Sequence, residues 1–131
     1  MTRRRSILLV DDEISVLQTL RMILEREGYE ITTAQSCAEA LTRLKSGKFD
    51  AIIADLNMEA DDIGFEVARA AMKLKPKPAV VIYTGYGNPA NARTALELGI
   101  DYLAMKPIAI EDLISALNRL VSRDRDRRTP R

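Results

Sequence analysis

Five short apolar, β-branched runs punctuate the chain, at Ile7–Val10, Tyr29–Thr33, Ala51–Ala54, Ala79–Tyr83 and Tyr102–Met105. Each has the length of a strand buried on both faces. Between them the period lengthens. Ile14, Leu17, Leu20 and Leu24 mark one face of a helix closed by Gly28, and Ile110, Leu113, Ile114, Leu117 and Val121 mark another; both show the spacing of an amphipathic helix. Weaker helices are predicted at about residues 36–46, 64–74 and 88–98, the last opening on Asn88-Pro89 and ending at Gly99, a cap, a first-turn proline and a terminal glycine. Strands alternating with helices in this way imply repeated βαβ units, and hence an α/β fold with a parallel sheet covered on both faces. No internal repeat and no second domain is visible.

In an open parallel sheet, ligands bind outside the carboxyl ends of the strands, near the point where strand order reverses. Asp11, Asp12 and Glu13 follow the first run, Asp55 the third, Thr84 the fourth and Lys106 the fifth. Polar residues thus converge on one edge of an apolar sheet. Asp11, Asp12 and Asp55 come close if the first and third strands are neighbours, and like charges at such range resist joint ionisation. A hard cation such as magnesium suits these oxygens, and Lys106 adds a fixed positive charge. With the Thr84 hydroxyl, the set has the parts of a phosphoryl-transfer site: a nucleophilic carboxylate, a metal, a cation and a hydrogen-bond donor. Singly, the pieces have plainer readings. Asp11-Asp12-Glu13 would suit a helix cap, and Thr84-Gly85 and Lys106-Pro107 are ordinary loop starts. Asp55, between Ala51-Ile52-Ile53-Ala54 and Leu56, has no obvious cap or surface role.

Composition narrows the chemistry. At 131 residues, 47% hydrophobic and 30% charged, the chain is one globular domain. Histidine is absent, which excludes imidazole as base, phosphate carrier or metal ligand. The single cysteine, Cys37, lies in a helical apolar pattern and reads as a small core residue. The longest apolar run, Ala79–Tyr83, falls far short of the roughly 20 residues of a membrane span, and the arginines at the start lead into too few apolar residues for a secretory signal. A cytoplasmic protein without membrane contact is expected. Arg3, Arg4 and Arg5 carry +3 and residues 122–131 another +3, whereas residues 6–121 hold 12 basic and 17 acidic residues, net −5. An acidic body with basic ends does not form a nucleic-acid face. Residues 122–131 contain no apolar anchor and are expected to form a disordered basic tail.

Four segments carry a resemblance: Ile7-Leu8-Leu9-Val10-Asp11-Asp12-Glu13, Asp55-Leu56-Asn57-Met58, Tyr83-Thr84-Gly85 and Lys106-Pro107. In this order, each at a strand end, they resemble the receiver domain of two-component response regulators, over residues 6–121 and following a basic extension at residues 1–5. The resemblance implies a flavodoxin-like (βα)5 doubly wound five-stranded parallel sheet of strand order 2-1-3-4-5. It implies that Asp55 accepts a phosphoryl group from a histidine kinase or histidine phosphotransfer protein. Asp12, Asp55 and the backbone carbonyl of Asn57 would hold Mg2+, with Asp11 helping through water. Lys106 would pair with the phosphoryl group, and Thr84 would move to bond it, switching a face made by the fourth helix, fifth strand and fifth helix. That face would meet a downstream protein target and is a candidate homodimer surface. Such a protein catalyses only its own phosphorylation and dephosphorylation. No output domain follows Val121, so a stand-alone receiver is expected.

Some positions depart from the family pattern. Glu59 replaces the usual proline, Gly64 comes one residue late after Asp55, and Glu59, Asp61 and Asp62 add negative charge. The switch aromatic, normally three residues before the lysine, is Leu103, with Tyr102 one residue earlier. Neighbouring strand residues face opposite sides, so Tyr102 is expected to turn away from Thr84, leaving Tyr83 or Tyr86 as substitutes. A phosphate-independent interaction module is the main alternative. A haloacid-dehalogenase-like phosphatase would need an acid at Asn57, and a flavodoxin-like flavin carrier would meet repulsion from Asp11 and Asp12.

Overall fold

The computed structural model describes residues 4–85 and 88–128, with side chains on the last helix given through Ser122. Along it run β1 (Ser6–Val10), α1 (Ile14–Arg26), β2 (Glu30–Ala34), α2 (Cys37–Ser46), β3 (Ala51–Asp55), α3 (Gly64–Met72), β4 (Ala79–Thr84), α4 (Pro89–Leu98), β5 (Tyr102–Met105) and α5 (Ile110–Arg128). The strands are parallel and ordered β2-β1-β3-β4-β5, as the resemblance implied.

β1, β3 and β4 are buried along their whole length, which is why they read as unbroken apolar runs. Successive residues serve opposite layers. Ile7, Leu9, Ile53 and Val81 pack with Leu17, Leu24, Leu113 and Leu117 beneath α1 and α5. Leu8, Val10, Ile52 and Ile82 pack on the other side with Leu44, Phe65, Val67 and Ala95 of α2, α3 and α4. Among the described residues, no helix is long and apolar enough to cross a membrane.

Element ends differ from expectation for local reasons. Tyr29 closes α1 instead of opening β2: after Gly28 turns through a φ of 95°, the Tyr29 amide donates to the Leu24 carbonyl at 3.2 Å. β3 and β4 each run one residue further, because the ladder pairs Asp55 with Tyr83 and Thr84 with Met105. α3 stops at Met72, and the Lys73 and Leu74 amides turn back onto Ala70 and Ala71. α5 continues past Val121 to Arg128 and so takes in much of the segment expected to be a disordered tail. Extending a formed helix adds a backbone hydrogen bond per residue without a new nucleus, so the apolar stripe need not mark its end. Residues 129–131, and residues 1–3 of the basic extension, lie outside the described residues.

The connection from β3 to α3 accommodates the displaced glycine. A Cβ on Gly64 would lie 2.7 Å from the Leu56 Cα and closer still to the Asp55 carbonyl oxygen, and the Gly64 amide donates to the Leu56 carbonyl at 2.8 Å. Glycine is therefore required where the chain passes beneath the end of β3. Within this connection Asp62 has a φ of 60°, and its amide donates to Asn57 Oδ1 at 2.7 Å. Asparagine and aspartate tolerate such left-handed backbone better than most residues.

Two stability predictions follow from this packing. Leu117→Ala, at a fully buried position, is expected to cost about 3 kcal/mol, while Leu96→Ala, at an 82% exposed position of α4, changes stability by no more than about 0.5 kcal/mol; urea unfolding measures both. Gly64→Ala is expected to cost about 2–3 kcal/mol through overpacking against backbone, measured the same way, and an unchanged midpoint would show that the loop shifts freely.

Candidate phosphoryl-transfer site

Because β1 and β3 are neighbours, with Val10 paired to Ala54, Asp11 and Asp55 leave the sheet side by side. Asp11 is fully buried, Asp55 is 3% exposed, and Asp12 is exposed. One carboxylate oxygen from each of the three lies within 4.8 Å of the others. These acids do not cap α1: Glu13 stands at the cap position without a side-chain capping bond, and Asp11 Oδ1 accepts the Glu13 amide at 2.8 Å. The donor set is hard oxygen on two buried acids and one exposed one, which fits a divalent cation such as magnesium.

Lys106 reaches this cluster from the end of β5. Its Nζ lies 3.2 Å from Asp55 Oδ2 and 5.1 Å above the Tyr83 ring centroid. The Asn57 amide donates to Asp55 Oδ1 at 3.2 Å. Burial pushes the Asp55 pKa above the ordinary carboxylate value; the Lys106 hydrogen bond opposes this, and the nearby Asp11 charge adds to it. Thr84 is fully buried at the end of β4, and its hydroxyl accepts from Asn57 Nδ2 at 3.5 Å. The Lys106–Pro107 peptide is cis.

The structure thus brings together Asp11, Asp12, Asp55, Thr84 and Lys106, with Asn57 beside them. The sequence offered Tyr83 only as a substitute switch aromatic, not as a partner of the acids. Its hydroxyl donates to Asp11 Oδ2, and burial raises its pKa far above the usual value, with the Asp11 charge adding to the shift. The available signal was a phenol ending an otherwise aliphatic strand. Asn57 was expected to offer its backbone carbonyl to the metal and to border the site; its side chain also joins Thr84 to Asp62. Glu59 Oε2 accepts the Cys37 amide at 3.2 Å, at the start of α2.

Strand parity decides the switch aromatic. Leu103 pairs with Ile82 and packs in the α2, α3 and α4 layer, whereas Tyr102 and Tyr83 belong to the opposite layer. Thr84 shares the face of Ile82, so Leu103 stands on the side of Thr84 and the two tyrosines do not. Tyr86 lies outside the described residues.

Comparison with known proteins agrees with this geometry. The family described as "Response regulator receiver domain" matches residues 7–118. The transcriptional regulatory protein ResD of Bacillus subtilis is 34% identical over 122 residues, covering 93% of this chain and 50% of ResD. The chain therefore spans about half the length of that relative. A CheY-like receiver domain structure from Methanospirillum hungatei superposes with a TM-score of 0.89 at 29% identity, covering 95% of this chain and 99% of that one. A receiver domain structure from Clostridium thermocellum gives 0.84 at 33% identity, over 92% and 97% of the two chains. With strand order, clustered acids and family match in agreement, the chain belongs to the response regulator receiver domains of two-component systems.

Proposed function

We propose that this receiver accepts a phosphoryl group on Asp55 from a histidine kinase or histidine phosphotransfer protein in the cytoplasm. The observation that supports this most directly is the Asp55 carboxylate, buried at the sheet edge with Lys106 at 3.2 Å and the Asp11 and Asp12 oxygens within 4.8 Å. In this reading an Asp55 oxygen attacks the donor phosphorus, an O–P bond forms, the N–P bond of the phosphohistidine breaks, and the imidazole leaves with the bond pair and takes up a proton. Asp12, Asp55 and the Asn57 carbonyl would hold Mg2+, with Asp11 completing the acid set. When bound, the metal neutralises charge on the phosphoryl oxygens.

Lys106, already paired with Asp55, would transfer its contact to the phosphoryl group. Thr84 would exchange Asn57 for the same group, and its movement would alter the face formed by α4, β5 and α5. Leu96 and Met105 expose apolar side chains there, at 82% and 50%, as a protein-docking surface requires. This face would serve a downstream target or a second copy. A cleft of about 450 Å³ beside Lys106, lined among others by Glu13, Val16, Leu20 and Ile108, offers the donor an approach.

Intact mass after incubation with acetyl phosphate and Mg2+ tests the assignment. One phosphoryl adduct is expected, absent in Asp55→Asn and after chelation. An adduct that persists in Asp55→Asn refutes the nucleophile. A parent chain that neither takes the adduct nor binds Mg2+ favours the phosphate-independent module.

The same variant tests the electrostatics. A raised pKa means that folded Asp55 holds its proton more tightly than in the unfolded chain, so its ionisation destabilises the fold as pH rises through the two values. Without Mg2+, Asp55→Asn is expected to raise the thermal midpoint at pH 7. The gain should vanish below the unfolded carboxylate pKa, as read by melting curves across pH.

A further inference from the structure

Resting on the phosphoacceptor reading, we propose that Tyr83 is a positioning residue of the site: its hydroxyl orients the Asp11 carboxylate, and its ring seats Lys106.

Tyr83 is 1% exposed and occupies the ladder position between Asp55 on β3 and Ala104 on β5. From there it touches two members of the site that make no direct bond in the structure. Its hydroxyl donates to Asp11 Oδ2, while the Glu13 amide holds Asp11 Oδ1 at 2.8 Å. One donor alone would leave the carboxylate free to rotate about its Cβ–Cγ bond. With a donor on each oxygen its plane is set, and the lone pairs left over point in fixed directions. Asp11 is fully buried, where a carboxylate oxygen without a donor is costly, so the hydroxyl also satisfies an oxygen that water does not reach.

The ring performs a separate task. Lys106 Nζ lies 5.1 Å over its centroid, within cation–π range, and 3.2 Å from Asp55 Oδ2. A lysine is a point charge on a flexible stem, and the ring limits where that charge can rest. An aliphatic residue would fill the volume but provide neither contact, and phenylalanine would provide only the second. Groups that orient metal-binding carboxylates typically change metal affinity by 10-fold or more when removed.

Two variants separate the tasks. Tyr83→Phe removes the hydroxyl and keeps the ring; Tyr83→Leu removes both. Calorimetric Mg2+ titration of the phosphate-free protein is expected to show affinity roughly 10-fold weaker in Tyr83→Phe. Acetyl phosphate labelling of that variant should be slow at limiting Mg2+ and recover as Mg2+ is raised. Tyr83→Leu should show the same loss of affinity and a labelling rate that saturating Mg2+ does not restore, because Lys106 has lost its seat. Circular dichroism and melting curves establish that each variant is folded, and Tyr83→Phe carries the test should Tyr83→Leu fail to fold. Equal Mg2+ affinity in the parent and Tyr83→Phe, with the parent labelled on Asp55, overturns this inference and leaves the phosphoacceptor reading standing. A parent that neither binds Mg2+ nor is labelled overturns both.

Discussion

Asp55 ends a strand buried along its whole length, one strand from Asp11, and the sheet order holds the two carboxylates together. The remaining features of the site answer that constraint. Lys106 crosses from β5 to place its charge on Asp55, backbone amides of Glu13 and Asn57 reach Asp11 and Asp55, and Tyr83 adds a hydroxyl to Asp11. These contacts offset the cost only in part, since burial above all, with the Asp11 charge adding to it, still holds the Asp55 pKa above its ordinary value. A cluster left short of positive charge is one that gains from a divalent cation. The proposed cation site at this edge is therefore the counterpart of how the sheet is built.

The same arrangement divides the site between the two faces of the sheet. Tyr83 and Thr84 are adjacent on β4, so their side chains leave opposite faces. Tyr83 stands in the layer of α1 and α5 and reaches Asp11, whereas Thr84 shares the face of Ile82 and Leu103, toward α4. One strand end thus faces the acid cluster on one side and the α4 layer on the other. At position 103, on the side of Thr84, stands a leucine and not an aromatic ring. Thr84 also meets the Asn57 amide group, whose carbonyl oxygen accepts the Asp62 amide.

Much of this was legible in the sequence for a simple reason: strands buried on both faces leave contiguous apolar runs, and the polar residues that end them stand out. The positions of Asp11, Asp55, Thr84 and Lys106 required only that rule and the binding edge of a parallel sheet. Boundaries set by hydrogen bonding were harder to read. Tyr29 has the composition of a strand residue but is held by the Leu24 carbonyl, and α5 continues where its apolar stripe stops. Tyr83 was hidden for another reason. A tyrosine in a buried strand looks like core until the neighbouring strand shows what its hydroxyl can reach, and that neighbour is distant in sequence.

The loop after β3 shows how a departure from the family spacing can leave the site intact. The strict requirement is the close approach of residue 64 to the backbone of Asp55 and Leu56, which excludes any side chain there. An added residue must therefore be taken up between Asn57 and Gly64. In that stretch Asp62 adopts a φ of 60°, with its amide held by Asn57 Oδ1. The negative charge that comes with this loop is partly engaged elsewhere, because Glu59 accepts the Cys37 amide at the start of α2, where the helix dipole favours an anion. Sequence alone sets Glu59, Asp61 and Asp62 against a phosphate-accepting site, but geometry gives the Glu59 carboxylate a partner on another helix. The altered loop is thus compatible with phosphoryl chemistry at Asp55, and the tie from β3 to α2 is a consequence of replacing proline with a side chain that can accept a hydrogen bond.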